Sequence, residues 1–193
     1  MVVPSPPSKA QMRLEALARR KAYAAALTPA LRNELEGKLA EVVLPHLIGA
    51  RVVAGYHPMR DEISPYLILD AIREGQQAAL PWFGGRDARM MFRAAPAVEA
   101  GPWRVLQPSG GAPALAPDLV LVPLVAADRA GNRIGHGKGH YDRALSHLRE
   151  AAPVFTIGIG WEDQIVDGPI PADPWDMPLD AIATPREWIS CHA

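Results

Sequence analysis

Between Pro123 and Arg143 the chain reads PLVAADRAGNRIGHGKGHYDR, and the side chains able to do chemistry concentrate there. Gly131, Gly135, Gly137 and Gly139 sit among Arg133, His136, Lys138 and His140. Glycines let backbone N–H groups converge on a ligand with no Cβ in the way. The apolar run Leu119–Val122 precedes the segment and a helical pattern starts near His140, so it reads as strand, glycine-rich turn and helix start. A helix N-terminus adds partial positive charge, and Arg133 and Lys138 add full charges, an arrangement suited to phosphate. Asp142, just inside the helix, could hold a metal ion that bridges phosphates. The plain alternative is a flexible turn with solvated charges. Ordinary connecting loops, however, are short and seldom join this glycine density to a helix start.

Two familiar phosphate-binding templates do not fit. A G-x-x-x-x-G-K-[ST] loop is matched at Gly137-Lys138, but Asn132 stands at its first glycine and Gly139 at its hydroxyl position. A G-x-G-x-x-G fingerprint fails because Gly135-His136-Gly137-Lys138-Gly139 is one residue short.

The elements that must position this loop can be read on either side of it. Ser8 and Gln11 form a capping-box pattern that opens a helix ending near Leu27. Thr28-Pro29 opens a second, with Leu31, Leu35, Leu39, Val42 and Val43 at helical spacing. Arg51–Tyr56 reads as a buried strand, and Ser64-Pro65 caps a helix running to about Arg73. Short strands follow at Gln77–Pro81 and Met90–Arg93. Residues 94–117 hold five prolines and read as an irregular connection. Asp118–Pro123 is a strand apolar enough to be covered on both faces. The helix His140–Ala151, a strand Val154–Ile159 and a proline-punctuated tail with a short strand at Ala181–Thr184 complete the pattern. Helices alternating with short apolar strands predict a three-layer α/β/α domain with a largely parallel sheet, spanning residues 8–193 after a disordered segment 1–7. Sheet order does not follow from the pattern.

Composition narrows the class of function. The 193 residues suit one domain; 49% are hydrophobic and 21% charged, as in soluble globular proteins. A net charge of −1 argues against strong non-specific nucleic-acid binding. The single cysteine, Cys191, permits no intrachain disulfide and suits a reducing compartment. The opening residues MVVPSPPSKA have no apolar core of a signal peptide, and no run approaches membrane-spanning length, so a cytoplasmic protein without membrane partners is expected.

With these residues in view, the chain resembles the 5-formyltetrahydrofolate cyclo-ligases, also called 5,10-methenyltetrahydrofolate synthetases, from about Lys9 to Pro185. The family motif P-x-x-x-x-D-x-x-G-x-R-[LI]-G-x-G-x-G-x-Y-D is met by Pro123, Asp128, Gly131, Arg133, Ile134, Gly135, Gly137, Gly139, Tyr141 and Asp142. Shorter blocks follow in family order: Lys9 and Arg13; Tyr56, Glu62 and Ile63; Glu162 and Gln164; Pro171, Asp176 and Asp180. The resemblance implies an enzyme that uses ATP and Mg²⁺ to convert 5-formyltetrahydrofolate to 5,10-methenyltetrahydrofolate, releasing ADP and phosphate. The formyl oxygen is a poor leaving group; phosphorylating it lets N10 attack the carbon and phosphate depart. Catalysis is then mostly positioning and charge neutralisation.

Residue roles carried over by the resemblance are as follows. Lys9 and Arg13, four apart on one helix face, would reach the ATP phosphates, with Arg13 also near the folate; solvated charges are the alternative. Arg133, Ile134, Gly135, His136, Gly137, Lys138, Gly139, His140 and Tyr141 would cradle ATP. Arg133, Lys138 and Tyr141 would act in catalysis, and His136 and His140 would border the substrate. Relatives often carry Tyr or Arg at the first of these histidines and Tyr at the second. Glu62 would bind the reduced folate near N10 and could accept its proton; a simple turn carboxylate is the other reading. His57 and Trp103 would contact folate, Trp103 by stacking. Asp142 and Asp176 would hold Mg²⁺, and Asp128 would shape the turn. Many relatives have His where this chain has Trp175. A monomer or homodimer is expected. Two other readings remain open: a paralogue using the same loop on another substrate, and a non-catalytic nucleotide- or RNA-binding module.

Overall fold

The computed structural model describes residues 8–191; the segment 1–7, expected to be disordered, lies outside them. Helix α1 (Lys9–Ala26) starts as its cap predicts, the Ser8 hydroxyl accepting from the Gln11 amide at 3.2 Å. Only the Ser8 half of the capping box forms; the Gln11 side-chain amide donates to Glu15. Helix α2 (Pro29–Val43) begins on Thr28, whose hydroxyl accepts from the Leu31 amide, with Pro29 at the first helical position.

The remaining elements follow in chain order: β1 (Val52–Ala54), α3 (Tyr66–Asp70), β2 (Gln77–Trp82), β3 (Met91–Ala94), β4 (Glu99–Ala100) and β5 (Leu106–Gln107). Then come β6 (Leu119–Pro123), β7 (Ala126–Asp128), β8 (Arg133–Ile134), α4 (His140–Ala151), β9 (Phe155–Ile159), β10 (Ile165–Val166), β11 (Ala181–Ala183) and β12 (Trp188–Ser190). The main sheet has seven strands in the order β12-β11-β9-β6-β1-β2-β3. Its five inner strands are parallel, and β3 and β12 join antiparallel at the edges.

Strand periodicity divides the core. Val53, Leu119, Leu121, Ile157 and Ile159 pack with Leu39 and Val43 of α2 and Ile68 of α3. Ala54, Val120, Val122 and Ile182 pack with Ala144 and Leu145 of α4. Alternate residues of one strand thus serve opposite helical layers, which is the expected three-layer α/β/α arrangement.

Three local differences have physical causes. Helix α3 ends at Asp70, not Arg73, because the Gln76 side chain takes the Arg73 amide at 2.8 Å and also donates to the Leu47 and Ala50 carbonyls. The irregular connection contains the hairpin β4–β5, anchored by Gln107. Its amide oxygen accepts from the Phe83 N–H at 3.1 Å and its amide nitrogen donates to the Phe83 carbonyl. The glycine-rich segment opens with a second hairpin, β7–β8, and β10 joins it in a three-stranded sheet.

The turn of that second hairpin requires glycine at 131. Its φ is +91°, and a Cβ there would lie 2.5 Å from the Leu179 carbonyl oxygen and 2.9 Å from the Cys191 Cβ. Gly131→Ala is therefore expected to destabilise the fold by at least ~2 kcal/mol, from left-handed strain plus the clash. Denaturant unfolding at constant m-value measures this; a loss under about 0.5 kcal/mol would show that the turn relaxes freely.

Candidate active site

The carboxyl ends of parallel strands gather functional groups in folds of this kind. Here the residues after β1, the end of β2 and the end of β6 open onto one cavity of about 480 Å³. The glycine loop from Gly135 to Asp142 forms one side of it. Lys9 and Arg13 of α1, Trp103 of the β4–β5 hairpin and the segment Asp173–Asp176 complete the wall.

The loop is held from beneath by Asp128, which is buried. One of its oxygens accepts from the Ala130 and Asn132 amides, both at 3.0 Å. The other accepts from the Asn132 side chain at 2.9 Å and the Ile170 amide at 2.8 Å. Three of these bonds lie within the turn, which Asp128 is expected to shape, and the fourth ties the turn to Ile170. Arg133 leaves the turn to donate to Asp142 Oδ1 at 2.5 Å and to the Met177 carbonyl. The Met177 amide donates to the same Asp142 oxygen. Arg13 donates through Nε to the Gly135 carbonyl at 2.7 Å and lies under Gly137. Lys9 bridges to Asp176 and to Asp173, the latter at 3.3 Å. Burial works against ionising Asp176, but the bonds from Lys9 and from the Asp173 amide outweigh it and lower its pKa.

Glu62 lies on the opposite wall with 3% of its side chain exposed. Oε2 accepts from the Met59 amide at 2.9 Å; Oε1 lies 3.3 Å from His136 Nε2 and 3.5 Å from the Arg20 guanidinium. Arg20 is itself buried and also reaches Asp61 at 2.8 Å and the Leu124 carbonyl at 2.9 Å. Burial opposes the Asp61 charge, yet Arg20 holds its pKa below the usual range. His57 hydrogen-bonds the Tyr66 hydroxyl through Nδ1. Tyr141 is pushed well up by burial, with the Glu62 charge adding to it, so it stays protonated. Burial lowers the His140 pKa, and Arg143 and Lys138 lower it further, so this imidazole is neutral at neutral pH. His140 meets Phe83 and Trp103 in an aromatic cluster with ring centres 4.9 to 5.2 Å apart.

Residues 5–185 match the model of the 5-formyltetrahydrofolate cyclo-ligase family. The chain belongs to this family. A 5-formyltetrahydrofolate cyclo-ligase of Mycolicibacterium smegmatis is 31% identical, the alignment covering 96% of this chain and 97% of the relative. A probable 5-formyltetrahydrofolate cyclo-ligase of Schizosaccharomyces pombe is 29% identical over 83% of this chain and 94% of its own. The NMR structure of a 5,10-methenyltetrahydrofolate synthetase from Aquifex aeolicus shares the fold with a TM-score of 0.79 at 24% identity, covering 96% of this chain and 93% of that one. A Mycoplasma pneumoniae 5,10-methenyltetrahydrofolate synthetase does so with a TM-score of 0.70, also at 24%, covering 93% and 99%.

For this cyclo-ligase family member, the site residues anticipated from sequence come together with one exception. Ile134 does not line the cavity; its side chain is wholly buried among Ala16, Val125, Ala126 and Ile170, where it seats the loop on α1. Sequence reasoning left Phe83 without a role, yet it lines the cavity against Trp103 and His140. Its signal, an aromatic just beyond a parallel strand, was present but ambiguous. Trp82 stays out of the cavity, with the Arg93 guanidinium 4.3 Å from its ring centre. Arg20 was missed because one arginine among several in a basic helix looks like any other.

The observed groups suit a nucleotide and its metal. The first turn of α4 has no side-chain cap, so its amides remain available at the cavity. Lys138 lines the cavity and forms no ion pair or hydrogen bond among the described residues. No group of three acidic, histidine or cysteine residues fit to hold a metal occurs among the described residues. No described helix is long and apolar enough to cross a membrane.

Removing Arg20 tests how the Glu62 wall is held. Arg20→Met leaves two carboxylates facing an uncharged site and should cost about 3–5 kcal/mol. The wild type also gains a pH signature. The Asp61 pKa is lower folded than unfolded, so its contribution is present above pH ~4 and is lost as pH falls through the folded value. Arg20→Met should flatten that acid limb in urea titrations between about pH 5 and 2. An unchanged limb would show that Arg20 does not set it.

Proposed function

We propose that this protein catalyses the ATP- and Mg²⁺-dependent conversion of 5-formyltetrahydrofolate to 5,10-methenyltetrahydrofolate, with release of ADP and phosphate. One observation carries the reading beyond family membership. A single cavity joins uncapped helix amides and an unpaired Lys138 to a buried carboxylate, Glu62, on the other wall. The first set suits phosphates and the second suits an amine that must lose its proton.

Asp142, with Asp176 as a second ligand, would hold Mg²⁺; Asp142 Oδ2 has no partner among the described residues. Bound ATP–Mg²⁺ would supply the phosphoryl group that activates the formyl oxygen. The protein's own part is positional and electrostatic. The glycine-loop amides, Lys138, Arg133 and Arg13 neutralise the phosphates, and Lys9 adds charge once it turns from Asp176. Gly137 and Gly139, at φ +81° and +60°, aim the loop backbone as few other residues would. Phe83, Trp103 and His140 provide an aromatic wall for the flat pterin or benzoyl rings. Glu62, dry and close to the loop, takes the N10 proton as the ring closes. Tyr141, kept protonated by its surroundings, can donate a hydrogen bond to an oxygen of either substrate.

The methenyl product carries a conjugated chromophore that the substrate lacks. Near-ultraviolet absorbance should therefore rise when 5-formyltetrahydrofolate, ATP and Mg²⁺ are all present, and chelation by EDTA should stop it. Folded protein that binds ATP but gives no rise would instead favour a paralogue with another acceptor. Asp142→Ala should lower kcat by more than ~100-fold while folate affinity stays within about twofold by fluorescence titration. Undiminished turnover would remove Asp142 from the metal site. Glu62→Gln should lower kcat by about 10²–10⁴-fold, the range for a lost general base. A rate within threefold of wild type would refute that role.

A further inference from the structure

We infer that His136 and Glu62 form a proton-relay pair, the imidazole carrying to solvent the proton that Glu62 takes from N10. The inference rests on the reaction proposed above and goes beyond it in assigning His136 a part in proton transfer. A general base with 3% of its side chain exposed can accept a proton once but needs an exit to act again. His136 Nε2 lies 3.3 Å from Glu62 Oε1, and 42% of the imidazole is exposed. The pair therefore runs from the dry wall of the cavity to water.

The other groups facing the pair do not serve. Arg20 from α1 is 3.5 Å from Oε1 and, like Arg13 and Arg133, offers donors and no acceptor. The Met59 amide donates to Oε2 and cannot accept. The hydroxyl of Tyr56 donates to the Ile63 carbonyl, and burial holds both Tyr56 and Tyr141 protonated. Asp61 is committed to Arg20. His57 is committed to the Tyr66 hydroxyl through Nδ1. Imidazole is the side chain whose ordinary equilibrium lies near neutrality, and it has one nitrogen to receive and another to release.

The step balances. The N10 lone pair bonds the formyl carbon, and the carbon–oxygen bond of the activated formyl group breaks, phosphate leaving with the electron pair. The N10 proton passes to Glu62. His136 Nε2 then takes it from Oε1 while Nδ1 gives its own proton to water, and exchange with solvent restores the starting tautomer.

His136→Gln tests this, since the amide can still bond Glu62 but cannot carry a proton. It should lower kcat by at least ~10-fold with the folate KM within about twofold, and enlarge the solvent isotope effect on kcat. Added imidazole should restore part of the rate to His136→Ala. An unchanged kcat, or a loss confined to KM, would overturn the relay. A second measurement needs no turnover. In ¹⁵N spectra of the His136 ring, Glu62→Gln should shift the Nε2 resonance, because that nitrogen faces the carboxylate at 3.3 Å. An unmoved resonance would show that the pair does not exist in solution. Wild-type protein that makes no methenyl product would refute the proposed reaction, and the ring spectrum would still judge the pair.

Discussion

One buried guanidinium sets the terms for the rest of the site. Arg20 reaches inward from α1 and neutralises two carboxylates at once, Asp61 and Glu62, while also binding the Leu124 carbonyl at the end of β6. Burial opposes the Asp61 charge, and Arg20 more than offsets it. The same contact fixes α1 against the carboxyl ends of the strands. Lys9 and Arg13 extend from that helix to the cavity, so their placement depends on how Arg20 seats it. A buried ion pair is weak evidence for stability, since apolar residues could fill the space as well. Its retention here is better understood through position: it holds the Glu62 carboxylate on the wall of the cavity.

The remaining charges are paired in a regular way. Each carboxylate suited to a metal is matched with a cation suited to phosphate, Asp142 with Arg133 and Asp176 with Lys9. Lys138 stands outside this pairing on an exposed part of the loop, where it can meet an anion without first breaking a contact.

Much of this could be read directly. The helix caps at Ser8 and Thr28 are local chemistry and appear where their residues stand. The central strands are apolar on both faces because two helical layers cover them, and the sequence shows that as unbroken Val and Leu. The glycine loop announced itself through composition. Less was visible where a partner distant in sequence decides the outcome. Gln107 anchors a hairpin by reaching back to Phe83, and Asp128 reaches forward to Ile170. The pairing of His136 with Glu62 joins positions that no local pattern connects. Ile134 shows a different limit: a motif position does not reveal that the side chain itself serves the core.

Gly135 lines the cavity, yet the fold itself does not require a glycine there. Its backbone lies outside the left-handed region, and a Cβ built there would meet nothing within 4 Å. Alanine would therefore fit the empty protein, and by narrowing the unfolded ensemble it would tend to stabilise it. A drift toward greater robustness would be free to discard this glycine. A preference for glycine at this cavity-lining position would have to come from what the cavity admits, not from the stability of the fold.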